Sequence, residues 1–230
     1  MRLALGQHMA DILDPTRLGL DLGELWQALR GGTLFVTATE CRGDRCFATL
    51  SAHPRGRQGP PAEDLEALER VLGGELNKVV ASELGISAST LSLHCSKALR
   101  AIATESLVSR VSIVLVTAAL CARGWSLPPA RVDGSGVDGL VVSFELPGKR
   151  LMSRLTGVEA EVLRMTIEGK SHAEIASDRG TSRRTVANQL GAIFKKLGVS
   201  GRSAVRALAV EEQSRAFRAG LRELGLPPSA

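Results

Sequence analysis

The chain has 230 residues, a formal net charge of +5 and a hydrophobic fraction of 44%, which suits one or two globular domains and is too apolar for disorder. Aromatic residues are 3% with no Tyr, so any core must be aliphatic. The apolar stretch at residues 111–122 is shorter than the roughly 20 residues of a membrane span, and Gly6, Gln7 and His8 break the N-terminal apolar run, unlike a signal peptide; a cytoplasmic protein with no membrane partner is expected.

In chain order, a helix over about 21–30 ends at Arg30-Gly31. TLFVTATE and RCFATLSA then read as a hairpin around Arg42-Gly43-Asp44. Cys41 and Cys46 flank that turn and read as two plain strand cysteines. A Cys-x4-Cys pair is at best half of a four-ligand zinc site, and the other cysteines and the histidines are scattered. No metal, no cofactor and no disulfide framework is therefore expected. Helical segments follow. A further helix over about 106–122 is apolar nearly all round, so it is buried either inside the chain or in a chain-to-chain contact. It ends at Arg123-Gly124. A shorter or irregular β section with Gly134, Gly136 and Gly139 leads into LVVSFELP, and four more helical segments close the chain.

The chain reads as duplicated. Residues 66–91 lie over 161–186 without a gap at an offset of 95, with Glu66/Glu161, Leu68/Leu163, Gly74/Gly169, Ala81/Ala176, Gly85/Gly180, Ser87/Ser182 and Thr90/Thr185 coinciding. Arg30-Gly31-Gly32-Thr33-Leu34 resembles Arg123-Gly124-Trp125-Ser126-Leu127. The expected fold is mainly α with short β hairpins. It consists of tandem units at residues 1–123 and 124–230, each a small β section plus a four-helix helix-turn-helix domain, with a hinge near Gly124 to Pro129.

In the second unit Thr156 with Glu159 and Ser171 with Glu174 form capping boxes. Arg179-Gly180-Thr181 is a tight turn and Ser182 caps the next helix. There Val186, Leu190, Ile193, Phe194 and Leu197 form a buried stripe, opposite Arg183, Arg184, Ala187, Asn188, Gly191 and Lys195. Two short helices joined by a Gly turn, the second basic outside, can place a helix in the major groove.

Residues 155–210 resemble the LuxR/GerE-type DNA-binding domain, on Leu155, Thr156, Glu161, Val162, Leu163, Gly169, Ser171, Glu174, Ile175, Ala176, Ser182, Thr185, Val186, Lys196, Leu197, Gly198, Val199 and Arg202. Residues 61–115 keep a degenerate version through Asn77, Lys78, Ala81, Leu84, Ile86, Ser87, Thr90 and His94. The resemblance implies a DNA-facing set of Arg183, Arg184, Thr185, Ala187, Asn188, Gln189, Gly191, Lys195, Lys196 and Arg202. It also implies double-stranded DNA as partner, and a dimer or an internal pseudo-dimer. Family lysines are replaced at Ala187 and Gly191, and by Ser92 and Ser96 in the first unit.

Charge separates the units. Residues 149–206 hold 12 Lys/Arg against 5 Asp/Glu, net +7, and residues 61–115 hold 5 against 7, net −2. Phosphate neutralisation dominates DNA affinity, so the second unit is the expected DNA binder and Asn188 its candidate for adenine readout. The first unit is expected to serve as scaffold, with helix 87–101 partly covered by protein through Leu91, Leu93 or Cys95 and with His94 structural. The function read from the sequence is a sequence-specific transcriptional regulator. The alternative is an interaction module that binds a sigma factor, RNA polymerase or another regulator without reading DNA. No catalytic motif is present: Gly134-x-Gly136 precedes a strand, unlike a dinucleotide fingerprint, and no enzymatic activity is expected.

Overall fold

A computed structural model describes residues 19–52, 59–104, 112–136 and 139–227. The N-terminal stretch read above and residues 106–111 of the expected apolar helix lie outside the described residues. Helix α1 (Leu22–Arg30) starts where the Asp21 carboxylate accepts from the amides of Gly23 and Glu24, satisfying donors that a helix start leaves open. Its apolar side, with Leu25, Trp26 and Leu29, is buried. Strands β1 (Leu34–Arg42) and β2 (Arg45–Ala52) form the expected hairpin, turning at Gly43 with φ +56°.

This hairpin corrects the reading of its cysteines. The register sets Cys41 directly opposite Cys46, and the two sulfurs form a disulfide. Cross-strand neighbours on one face lie within bonding reach of each other, and a short turn fixes that register. Bonded sulfurs are not available as thiolate ligands.

The second β section is also a hairpin, β3 (Arg131–Gly136) and β4 (Gly139–Glu145). β4 pairs antiparallel with β2 from Arg45↔Glu145 to Leu50↔Leu140, giving one four-stranded sheet of order β1-β2-β4-β3. The β sections expected to stand apart are thus joined, and the sheet runs across the expected boundary at 123/124. A lone two-stranded hairpin is marginal in water and an open edge invites pairing, so each hairpin completes the other. Cys46, Ala48 and Leu50 on β2 and Leu140, Val142 and Phe144 on β4 alternate into one core. Gly139 allows the close approach: a Cβ there would sit 2.0 Å from the Leu50 carbonyl oxygen.

Helices α2 (Ala62–Leu72), α3 (Asn77–Glu83) and α4 (Ala88–Ile102) follow the first hairpin. Helix α5 (Ile113–Ala122) begins at Ser112, whose hydroxyl accepts from the Val114 amide. All of residues 113–120 are buried within the chain, and Thr117 meets this cost by donating to the Ile113 carbonyl at 2.7 Å. α5 packs on α1, α2 and β2. After β4 come α6 (Lys149–Met152), α7 (Gly157–Glu168), α8 (His172–Asp178), α9 (Arg183–Leu197) and the 22-residue α10 (Arg202–Glu223). α10 packs on α5, α6 and α7, and touches α2. The bounds of α3 and α8, and of α4 and α9, differ by the same 95 positions.

Candidate nucleic-acid interface

Local chemistry fixes the C-terminal helix-turn-helix. Both capping boxes are formed: Thr156 and Glu159 close the start of α7, and Ser171 and Glu174 that of α8. Gly169 ends α7 at φ +108°, and Gly180 takes φ +59° in the turn between α8 and α9. The Ser182 hydroxyl accepts from the Thr185 amide at 3.0 Å and starts α9. Val186, Leu190 and Ile193 are fully buried, with Phe194 and Leu197 partly so. That anchoring turns the opposite side outward, where Arg183, Arg184, Thr185, Ala187, Asn188, Gly191, Lys195 and Lys196 are exposed.

Their partners divide the expected set. Among the described residues no ion pair holds Arg183, Arg184 or Lys195, so these three offer unspent positive charge. Lys196 is engaged with Glu159 at 2.5 Å, a contact that holds the Glu159 carboxyl below its usual range. Gln189 is half-buried, and its Oε1 accepts from Arg179 Nη1 at 2.9 Å; Arg179 also pairs with Glu161 at 3.1 Å. Arg202 leaves the exposed face altogether. It donates to the Lys170 carbonyl, and burial pulls its guanidinium below the usual range. Sequence reasoning missed Arg179 as the positioner of Gln189, and the buried Arg206, which donates to the Thr166 carbonyl at 3.1 Å and is pulled down to about 9, mainly by burial. These contacts span 10 and 40 positions, beyond the reach of one helical turn, so no local signal announces them.

Gly191 is informative. A Cβ there would meet nothing within 4 Å, so packing does not require glycine. Mid-helix glycine costs about 0.5–1 kcal/mol relative to Ala. We expect Gly191→Ala to raise stability by about that amount, read as a shift in urea midpoint; an unchanged or lower midpoint would show a hidden constraint.

Residues 61–104 present a different surface. Ser87 caps α4 and Gly85 takes φ +67° in the preceding turn, but the outward residues of its first two turns are Ala88, Ser89, Ser92 and Leu93, and Lys97 and Arg100 are exposed only further along. Of the residues expected to lie under a cover, Leu93 is 50% exposed. Leu91 is buried in the unit's own small cluster with Ala67, Val71 and Val80, and Cys95 is partly buried against it, which pushes its thiol up to about 11. His94 Nδ1 lies 2.5 Å from the buried Asp64 carboxylate.

Residues 153–209 match the family model of bacterial regulatory proteins of the luxR family, GerE. This segment is a GerE-type helix-turn-helix domain. It supports a DNA-binding transcription regulator in general terms, and the match does not extend over residues 61–115. No curated protein matches the chain, and no solved structure matches it. Among the described residues no helix is long and apolar enough to cross a membrane.

Proposed function

We propose that the chain is a sequence-specific transcriptional regulator that contacts duplex DNA mainly through α9, with no catalytic role, acting in the cytoplasm where such DNA lies. The observation that carries this reading is the unpaired basic face of α9, with Arg183, Arg184 and Lys195, inside a GerE domain. Phosphate contacts by these cations supply affinity and register. Asn188 beside them has the donor and acceptor that fit an adenine edge. Lys196 and Arg202 serve first as internal ties.

Residues 61–115 are read as a degenerate second copy. The support is the common offset of 95 in α3/α8 and α4/α9 together with the paired turn glycines Gly85 and Gly180. The copy acts as an internal partner instead of a second DNA reader: its counterparts of Arg183 and Arg184 are Ala88 and Ser89, which carry no charge to phosphate. α10 is occupied within the chain by α5 and the α2–α3 turn, where a Cβ on Gly74 would lie 2.9 Å from Ala207 Cβ. That arrangement favours an internal pseudo-dimer. The alternative reading, docking to a sigma factor, RNA polymerase or another regulator, draws on the exposed Leu93 of α4.

Selection of bound fragments from random-sequence DNA by the full chain tests the proposal. A single enriched half-site is expected; no enrichment would favour the interaction module, and two half-sites one helical turn apart would place α4 on DNA as well. At the enriched site, Asn188→Ala is expected to cost about 1–3 kcal/mol against the correct base pair alone, measured by fluorescence anisotropy on matched and mismatched duplexes. An equal loss on both would remove Asn188 from base readout.

A further inference from the structure

The Cys41–Cys46 disulfide closes the β1–β2 turn beside the segment that leads into the GerE domain. Its two sulfurs differ in access: Cys46 is fully buried, whereas Cys41 is half-buried on the sheet's edge strand. A thiolate attacks a disulfide in line with the S–S bond. The line through Cys41 away from Cys46 leaves the sheet on the outer side of β1, where no strand of the described residues pairs at this position. The hairpin does not need the bond. It closes a loop of only 5 positions, and short loops constrain an unfolded chain least. The register from Leu34↔Ala52 to Arg42↔Arg45 and the buried Ala48 and Leu50 hold the same two strands. In the cytoplasm proposed above, disulfides are mainly transient or redox-sensing. The turn is also tied forward. The Leu146 amide donates to the Asp44 carbonyl at 2.8 Å, and Arg45 Nη2 donates to Ser143 Oγ at 2.6 Å. Shortly after Leu146, Gly148 caps α6.

We propose that Cys41–Cys46 is a reversible exchange site for low-molecular-weight thiols, and that its redox state sets how firmly the Asp44 turn clamps the entry to the GerE domain. A thiolate bonds to Cys41 Sγ, the S–S bond breaks, and Cys46 leaves and takes up a proton. A second thiol then displaces Cys41 from the mixed disulfide. Two small thiols are oxidised to one small disulfide, and the protein gains two thiols. Cys46 stays in the core as an apolar thiol, while Cys41 is free to swing outward and the turn loses its covalent clamp. The other two cysteines stay out of the chemistry: burial pushes Cys95 up to about 11 and Cys121 up to about 12, so both remain protonated at neutral pH.

The full chain, first treated with oxidised glutathione, is exposed to reduced glutathione under native conditions and followed by peptide mass spectrometry. A glutathione adduct on Cys41 is expected first, then free thiols at Cys41 and Cys46, with an unchanged far-ultraviolet circular dichroism spectrum and full return on reoxidation. Hydrogen exchange at the Leu146 amide is expected to be about fivefold faster in the reduced chain, the scale of one weakened hydrogen bond. The β2–β4 ladder away from the turn is expected to keep its protection. The double variant Cys41→Ser, Cys46→Ala is expected to show the faster Leu146 exchange under oxidising conditions and no response to glutathione. Reduction only after unfolding, or loss of the fold on reduction, would make the bond a structural staple and overturn the proposal. An adduct on Cys46, two thiols persisting in oxidised glutathione, or Leu146 exchange indifferent to redox state would also overturn it.

Discussion

Replacing Arg183 and Arg184 together by Ala is expected to lower the slope of log affinity against log salt by about 1.8, because each lost phosphate contact removes about 0.9. At 0.1 M salt that corresponds to a loss on the order of 50-fold in affinity. Both side chains stand on the first turn of α9, exposed and outside any ion pair among the described residues. Lys196→Ala is expected to lose less, since its ammonium is already committed to Glu159 at 2.5 Å. Lys97→Ala on α4 is expected to leave the slope unchanged. The measurement is anisotropy on one duplex across a salt series. If the double substitution kept slope and affinity, α9 would not be the DNA-facing helix.

Trp26→Ala is expected to cost about 3–5 kcal/mol, the range for removing a buried large aromatic side chain. Trp26 is 1% exposed, and its indole N–H donates to Glu69 at 2.7 Å, tying α1 to α2. Removal leaves a cavity in the core and takes away the indole donor to Glu69, which keeps Arg30 at 3.7 Å. Urea unfolding followed by circular dichroism reads the loss; a cost below about 1 kcal/mol would mean that α1 is not docked as described. The wild-type curve is informative too. Because β2 and β4 share one sheet, the two halves are expected to unfold in a single transition, and two resolved transitions would restore the picture of independent units.

Much of the candidate interface was legible in the sequence because it is made of short-range chemistry. A Ser or Thr followed three residues later by Glu closes a helix start by itself, and so Thr156 and Ser171 announced α7 and α8. Glycine is needed where the backbone turns left-handed, which marked Gly169 and Gly180. The period of Val186, Leu190 and Ile193 fixed which side of α9 faces inward, and therefore which cations face out. The same rules located α4 and its cap in the first half, and the alternation of RCFATLSA located β2.

Other features depended on which distant segments meet, and no local pattern carries that. Strand alternation shows that a face is buried but not which strand lies alongside, so the union of two hairpins through β2 and β4 waited for the tertiary structure. Two cysteines five positions apart are compatible with free thiols until the register sets them opposite each other. A basic residue is exposed or withdrawn according to its neighbours: among the described residues Arg183 meets no ion-pair partner, Lys196 meets Glu159, and Arg202 turns to the Lys170 carbonyl. Charge arithmetic counts all three alike. The sequence by itself determined the helices, their caps and the outward face of α9, because those follow from contacts within a few residues. The tertiary structure decided the shared sheet, the disulfide and the division of the cations, because those follow from contacts between residues from 5 to 100 positions apart.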